Sequence, residues 1–112
     1  FFLAPMLAQK LNAGFVPVRK KGKLPYDTLS MAYNLEYGDD ELEIHTDAIL
    51  PGENVLIHDD VLATGGTCEA VIKLVEQMKA NIVASHFLIE LQALNGREKI
   101  KKYPYYSIIK YE

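Results

Sequence analysis

The spacing of hydrophobic positions changes several times along the chain, and each change marks an element. Apolar residues at positions 1, 3, 4, 7, 8 and 11 fall on one face of a helix over residues 1–12. Pro5 marks its start or belongs to its opening turn, and Gly14 is the expected C-cap. Residues 15–19 read as a short buried strand, made irregular or pushed toward an edge by Pro17. A loop punctuated by Gly22 and Pro25 follows. Residues 28–36 then alternate, with Leu29, Met31, Tyr33 and Leu35 on one side, and residues 41–46 alternate through Leu42 and Ile44. Together they predict an antiparallel hairpin turning at Gly38-Asp39-Asp40. Residues 55–58 read as the central strand, 67–79 as a helix with the stripe Ala70, Val71, Leu74, Val75 and Met78, and 82–91 as a long apolar strand. A short helical turn at 97–102 and a last strand at 105–111 complete the chain. Helices between buried strands predict a parallel α/β sheet, with ligands bound beyond the carboxyl ends of its strands. The ends of strands 15–19, 55–59 and 82–91 carry a basic cluster, Asp59 with Asp60, and Glu90-Leu91, so these three groups are expected to converge.

One run concentrates the chemistry: Val55-Leu56-Ile57-His58-Asp59-Asp60-Val61-Leu62-Ala63-Thr64-Gly65-Gly66-Thr67. Strand material leads into a small-residue turn and then a helix. The first N–H groups of a helix lack intrahelical partners and carry partial positive charge. Two glycines let the main chain approach a ligand and the threonine hydroxyls add donors, so a phosphate is the natural guest. Two carboxylates beside a phosphate would repel it unless something lies between, such as sugar hydroxyls or a metal. The run reads as a site for a phosphorylated sugar. It is neither a nucleotide P-loop, since no Lys follows Gly66, nor a dinucleotide fingerprint, since G-x-G-x-x-G is absent.

Composition narrows the remaining classes. A chain of 112 residues, 49% apolar and 24% charged, makes one ordinary globule with a modest core. No apolar run is long enough for a membrane span, and the opening FFLAPMLA lacks a basic flank, so no signal peptide is read. The single cysteine, Cys68, suits a reducing compartment and is read as packing. A net charge of −3 argues against a nucleic-acid or membrane partner. Within that acidic chain, Arg19, Lys20, Lys21 and Lys23 supply four of the twelve basic residues, which points to a polyanion receptor. His45, His58 and His86 show no metal-ligand spacing. Tyr103, Tyr105, Tyr106 and Tyr111 read as a packing or dimer surface.

The acidic pair and the turn that follows resemble the phosphoribosyl-pyrophosphate signature of the type I phosphoribosyltransferases. With Leu35-Glu36-Tyr37-Gly38 upstream and Gly96-Arg97-Glu98 downstream, the chain is similar over essentially its whole length to the adenine-specific members of that family. The resemblance implies a type I phosphoribosyltransferase fold: a Rossmann-like parallel sheet flanked by helices, with an antiparallel flexible hairpin, in a single domain over residues 1–112. It implies a purine-salvage enzyme of the cytoplasm, homodimeric, forming AMP and pyrophosphate from adenine and phosphoribosyl pyrophosphate. Asp59 and Asp60 would hold the ribose hydroxyls, and Ala63, Thr64, Gly65, Gly66 and Thr67 the 5′-phosphate. Arg19, Lys20 and Lys23 would receive pyrophosphate. Glu36, with Tyr37 on a closing loop, would exchange a proton near N7 of the purine, and Leu91 would pack on adenine. Mg²⁺ would arrive bound mainly through the pyrophosphate and ribose oxygens, with no dedicated protein ligands.

Family members begin with an adenine hood and a strand that leads to an Arg-Gly-Phe loop, and this chain starts near the Phe of that loop. The expectation is an N-terminally incomplete domain holding much of the sugar-phosphate site, part of the base pocket and little activity alone. The competing readings are a non-catalytic phosphoribosyl-binding regulator of the same fold and a phosphoribosyltransferase for another purine.

Overall fold

The structure, a computed structural model, describes residues 3–20, 28–35 and 38–112. Helix α1 spans Leu3–Lys10. Pro5 lies in its first turn, where a missing N–H is no loss. The helix ends in a left-handed residue, which is Asn12 (φ 53°) and not Gly14. Ala13 N–H donates to the Ala8 carbonyl at 2.8 Å and Asn12 N–H to the Gln9 carbonyl at 3.2 Å, a paired closure of the last carbonyls. Asn tolerates this conformation better than other side chains, which is why the helix can stop two residues before the glycine.

The expected strand 15–19 is not formed. Strand β1 is only Arg19–Lys20, antiparallel to β3 (Gly38–His45), with Arg19 opposite Glu43 and Lys20 opposite Leu42. Pro17 has no N–H to give a ladder, so residues 15–18 run as irregular chain while Val16 and Val18 pack on the core. The basic cluster therefore opens on the antiparallel sheet, not at the end of a parallel strand. Strand β2 (Thr28–Leu35) pairs with β3 from Thr28 opposite His45 to Leu35 opposite Gly38. Gly38, Asp39 and Asp40 are consequently strand residues and not the turn, and residues 36 and 37 lie outside the described ones.

The second sheet is parallel, in the order β4 (Asn54–Leu62), β5 (Asn81–Leu91), β6 (Tyr105–Tyr111). Among the described residues β5 is the middle strand, and the expected central strand, β4, has a partner on one side only. β4 also runs further than its apolar stretch, carrying His58, Asp59 and Asp60 within the strand.

Helix α2 spans Gly66–Gln77 and stops two residues short of the expected end because Lys79 turns left-handed (φ 60°). Its buried residues are Gly66, Cys68, Ala70, Ile72, Leu74 and Val75. Ile72 lies outside the stripe read from the sequence. It is buried because α2 touches β2 and β3, β4 and β5, and α3 (Arg97–Ile100), which leaves it little open face. One core joins the two sheets across this helix: Ile44 from the hairpin, Ile57 and Leu62 from β4, Leu74 and Val75 from α2, Phe87 from β5 and Ile100 from α3.

Phe87, wholly removed from solvent on the middle strand, is the largest side chain in this core. Phe87→Ala is expected to lower the unfolding free energy by about 3–5 kcal/mol in urea denaturation. A loss below about 1 kcal/mol would contradict its central place.

Candidate functional site

Where β4 gives way to α2, the chain turns through residues 63–65. Gly65 is the residue before the helix, with φ 86° and ψ −3°, a conformation that side chains resist. Its carbonyl accepts the first helical bond, from Glu69 N–H at 2.9 Å. A Cβ at Gly65 would stand 2.5 Å from the Gly96 carbonyl oxygen, so space as well as dihedral demands glycine. Thr64 Oγ1 accepts from Gly66 N–H at 3.5 Å. The N–H groups of Gly66, Thr67 and Cys68 open a twelve-residue helix and have no carbonyl four residues back to bond. Those donors and the helix field make the turn an anion cradle.

The acidic pair lies just upstream, and its members differ. Asp59 Oδ1 accepts from Asp60 N–H at 2.7 Å. Burial raises the Asp59 pKa above the ordinary carboxylate value, and that N–H bond works against the rise. The Asp60 side chain is 46% exposed and its Oδ1 lies 3.9 Å from His58 Nε2. Alternation along the strand explains the difference, since successive side chains leave opposite faces. Asp59, Asp60 and Thr67 share the wall of a cavity of about 480 Å³ that continues along the open edge of β4. Leu7 and Leu11 of the first helix and its following turn also line it.

Behind the acids, His58 and His86 occupy matched positions on β4 and β5. Their rings stack with centroids 5.1 Å apart, and Nδ1 faces Nδ1 at 3.0 Å. One nitrogen must donate and the other accept, so a single proton lies between them. Burial, then the His86 charge, lowers the His58 pKa. Cys68 is buried with Sγ 3.6 Å from Ser85 Oγ, and burial pushes its thiol up to about 11, which fits packing rather than reactivity.

Residues 1–111 match the phosphoribosyl transferase domain. The chain belongs to the phosphoribosyl transferase family. An adenine phosphoribosyltransferase of Flavobacterium johnsoniae is 59% identical over 111 residues, covering 99% of this chain and 65% of that protein. The crystal structure of adenine phosphoribosyltransferase from Rhodothermus marinus superposes with a TM-score of 0.96 at 56% identity, covering 99% of this chain and 64% of the other. That of the Saccharomyces cerevisiae enzyme, complexed with adenine and an imino-altritol bisphosphate, gives a TM-score of 0.93 at 46% identity, covering 96% and 61%. The chain thus spans about 65% of the length of the curated relatives it matches.

In this phosphoribosyl transferase domain the turn residues Ala63 to Thr67 and the acids Asp59 and Asp60 lie together. Leu91 is half-buried at the end of β5, opposite Tyr111 of β6. Arg19 and Lys20 are exposed on β1 and do not line the cavity that holds the acids. Lys23, Glu36 and Tyr37 lie outside the described residues. Reading the sequence missed the corner at residues 95–97, where Gly96 presses on Gly65, and the buried Glu90 that Arg97 faces. The available signal was a carboxylate inside the apolar run 82–91, which has to find a partner when buried.

The two shifted groups pull stability in opposite directions. A histidine whose folded pKa is lowered takes up a proton on unfolding, so stability is lost as pH falls below about 6.5. A carboxyl whose folded pKa is raised binds its proton first in the folded state, so Asp59 adds stability on acidification in a lower window, starting above its ordinary 3.8. The double variant His58→Val, His86→Val is expected to flatten the fall in Tm below about pH 6.5. An unchanged slope would show that His58 does not titrate with unfolding.

Proposed function

We propose that the full-length protein transfers the phosphoribosyl group of phosphoribosyl pyrophosphate to adenine, giving AMP and pyrophosphate. The observation that carries this reading is the placement of Asp59 and Asp60 beside the N-terminus of α2, on one cavity with Thr67. A sugar phosphate satisfies both halves at once. Its 5′-phosphate accepts from the N–H groups of Gly66, Thr67 and Cys68 and from the hydroxyls of Thr64 and Thr67. Its 2′ and 3′ hydroxyls donate to the carboxylates, which also balance the cationic sugar that develops as the bond to pyrophosphate breaks. The relatives named above support adenine as the acceptor, the yeast one being a complex with adenine and a bisphosphate.

In this reading the adenine ring packs on Leu91. Its N9 bonds to ribose C1 as the C1–O bond to pyrophosphate breaks, and a proton leaves through N7 to the Glu36 carboxylate. Tyr37 belongs to the loop that excludes water from the sugar cation. Arg19, Lys20 and Lys23 receive the departing pyrophosphate. Among the described residues no three His, Cys, Asp or Glu side chains gather as a metal site. In this reading Mg²⁺ travels on pyrophosphate and ribose oxygens, a manner of binding usual for this ion, and offsets the leaving-group charge. No helix among the described residues is long and apolar enough to cross a membrane. The cytoplasm and a homodimer are part of the proposal, with exposed Tyr106 and Tyr111 as the contact surface.

Glu36→Gln in the full-length protein is expected to lower AMP formation by about 10²–10⁴-fold while binding of phosphoribosyl pyrophosphate persists. Asp59→Asn with Asp60→Asn should instead weaken that binding. Assays with adenine, hypoxanthine and guanine should yield product from adenine alone. Product from another purine, or none with any, would contradict the reading.

A further inference from the structure

Gly65 and Gly96 meet backbone to backbone. A Cβ on Gly65 would stand 2.5 Å from the Gly96 oxygen and 3.1 Å from its carbonyl carbon. A Cβ on Gly96 would collide with the Ala63 oxygen and stand 3.0 Å from both Gly65 N and Leu62 Cδ1. The corner at residues 95–97 is therefore the surface against which the anion turn is formed. The corner is itself bent, with Asn95 left-handed at φ 52°. Its bonds span three residues each: Glu98 N–H to the Asn95 carbonyl and Lys99 N–H to the Gly96 carbonyl, both 3.1 Å.

Beneath the corner lies a carboxylate that the proposed chemistry does not use. Glu90 is 1% exposed, in register with Leu62, the last residue of β4. Its Oε1 accepts from Ser107 Oγ at 2.9 Å. Its Oε2 has no hydrogen bond among the described residues, and Arg97 Nη1 stands 3.8 Å from it. A buried carboxylate is costly unless a positive charge answers it, and here that charge is carried by the residue after Gly96. Arg97 thus joins Glu90 to the peptide that meets Gly65, being the next residue after Gly96.

We propose that Glu90 and Arg97 are positioning residues for the phosphate turn, fixing Gly96 so that the amides of residues 66–68 face the 5′-phosphate before it arrives. This rests on the functional reading above. Donors fixed in advance need no ordering when the anion binds, so loosening the corner weakens recognition of phosphate and leaves base and ribose contacts alone. A purely structural ion pair would lower stability without that selectivity.

The test uses the full-length protein and four variants: Glu90→Gln, Arg97→Met, both together, and Gly96→Ala. Glu90→Gln keeps the shape and the Ser107 bond and removes the charge. Calorimetry with AMP and with adenosine separates phosphate from the rest of the nucleotide. Each variant is expected to bind AMP about tenfold more weakly, the scale of a displaced rather than a deleted contact, with adenosine unchanged. The KM for phosphoribosyl pyrophosphate should rise by a similar factor while that for adenine stays. The double variant should be no worse than either single one, because the two residues act as one pair. If Glu90→Gln fails to fold, the phosphate-selective loss must still appear in Arg97→Met and Gly96→Ala. Equal loss of AMP and adenosine, unchanged AMP binding, or additive single effects would overturn the proposal. Wild-type protein that binds no AMP would overturn the functional reading with it, whereas wild-type binding with unaffected variants overturns this inference alone.

Discussion

Two peptide groups in contact, at Gly65 and Gly96, set the geometry on which the candidate site depends. The chain leaves β4, turns left-handed at Gly65 and enters α2, and the only backbone that allows this is one with no side chain on either partner. The turn's amides are aimed by what lies behind them. Behind Gly65 is the corner after β5, behind that corner is Glu90, and beneath α2 lies the core around Phe87 and Leu74. Packing and anion recognition are thus parts of the same local arrangement.

Electrostatics at the site follows from which face of a strand each side chain takes. Asp59 is turned inward, where burial opposes its charge and one backbone N–H supports it. Asp60 is turned outward beside His58 and keeps much of its hydration. Two carboxylates so differently solvated do not repel as two buried ones would, and a ligand rich in hydroxyls can bridge them. The histidine pair beside them shares one proton at 3.0 Å, and His58 lines the same cavity as the acids. The contribution of His58 is to the pH dependence of folding.

Much of this was legible in the chain itself, and the failures have identifiable causes. Alternation at residues 28–36 and 41–46 predicts the hairpin, and the apolar run 82–91 predicts the long parallel strand, because period 2 and continuous burial leave direct traces. The glycine turn was readable because few residue types tolerate a left-handed entry to a helix. Residues 15–18 misled because they are apolar and yet contain Pro17, and the missing donor outweighed the burial pattern. Gly38 misleads because Gly-Asp-Asp fits a turn as well as a strand end. The Glu90 and Gly96 arrangement could not be read, since it depends on segments about thirty residues apart meeting in space. Membership of the family was legible because Asp59, Asp60 and the Thr64 to Thr67 turn occur together in the right order.

The central claim is that the main-chain amides at the start of α2 take the anionic end of a sugar phosphate. Amide NMR on the full-length protein titrated with ribose 5-phosphate tests it most directly. The account predicts the largest shifts, saturating together, at the N–H groups of Gly66, Thr67 and Cys68. Saturable binding whose shifts cluster elsewhere and spare these three amides would contradict it.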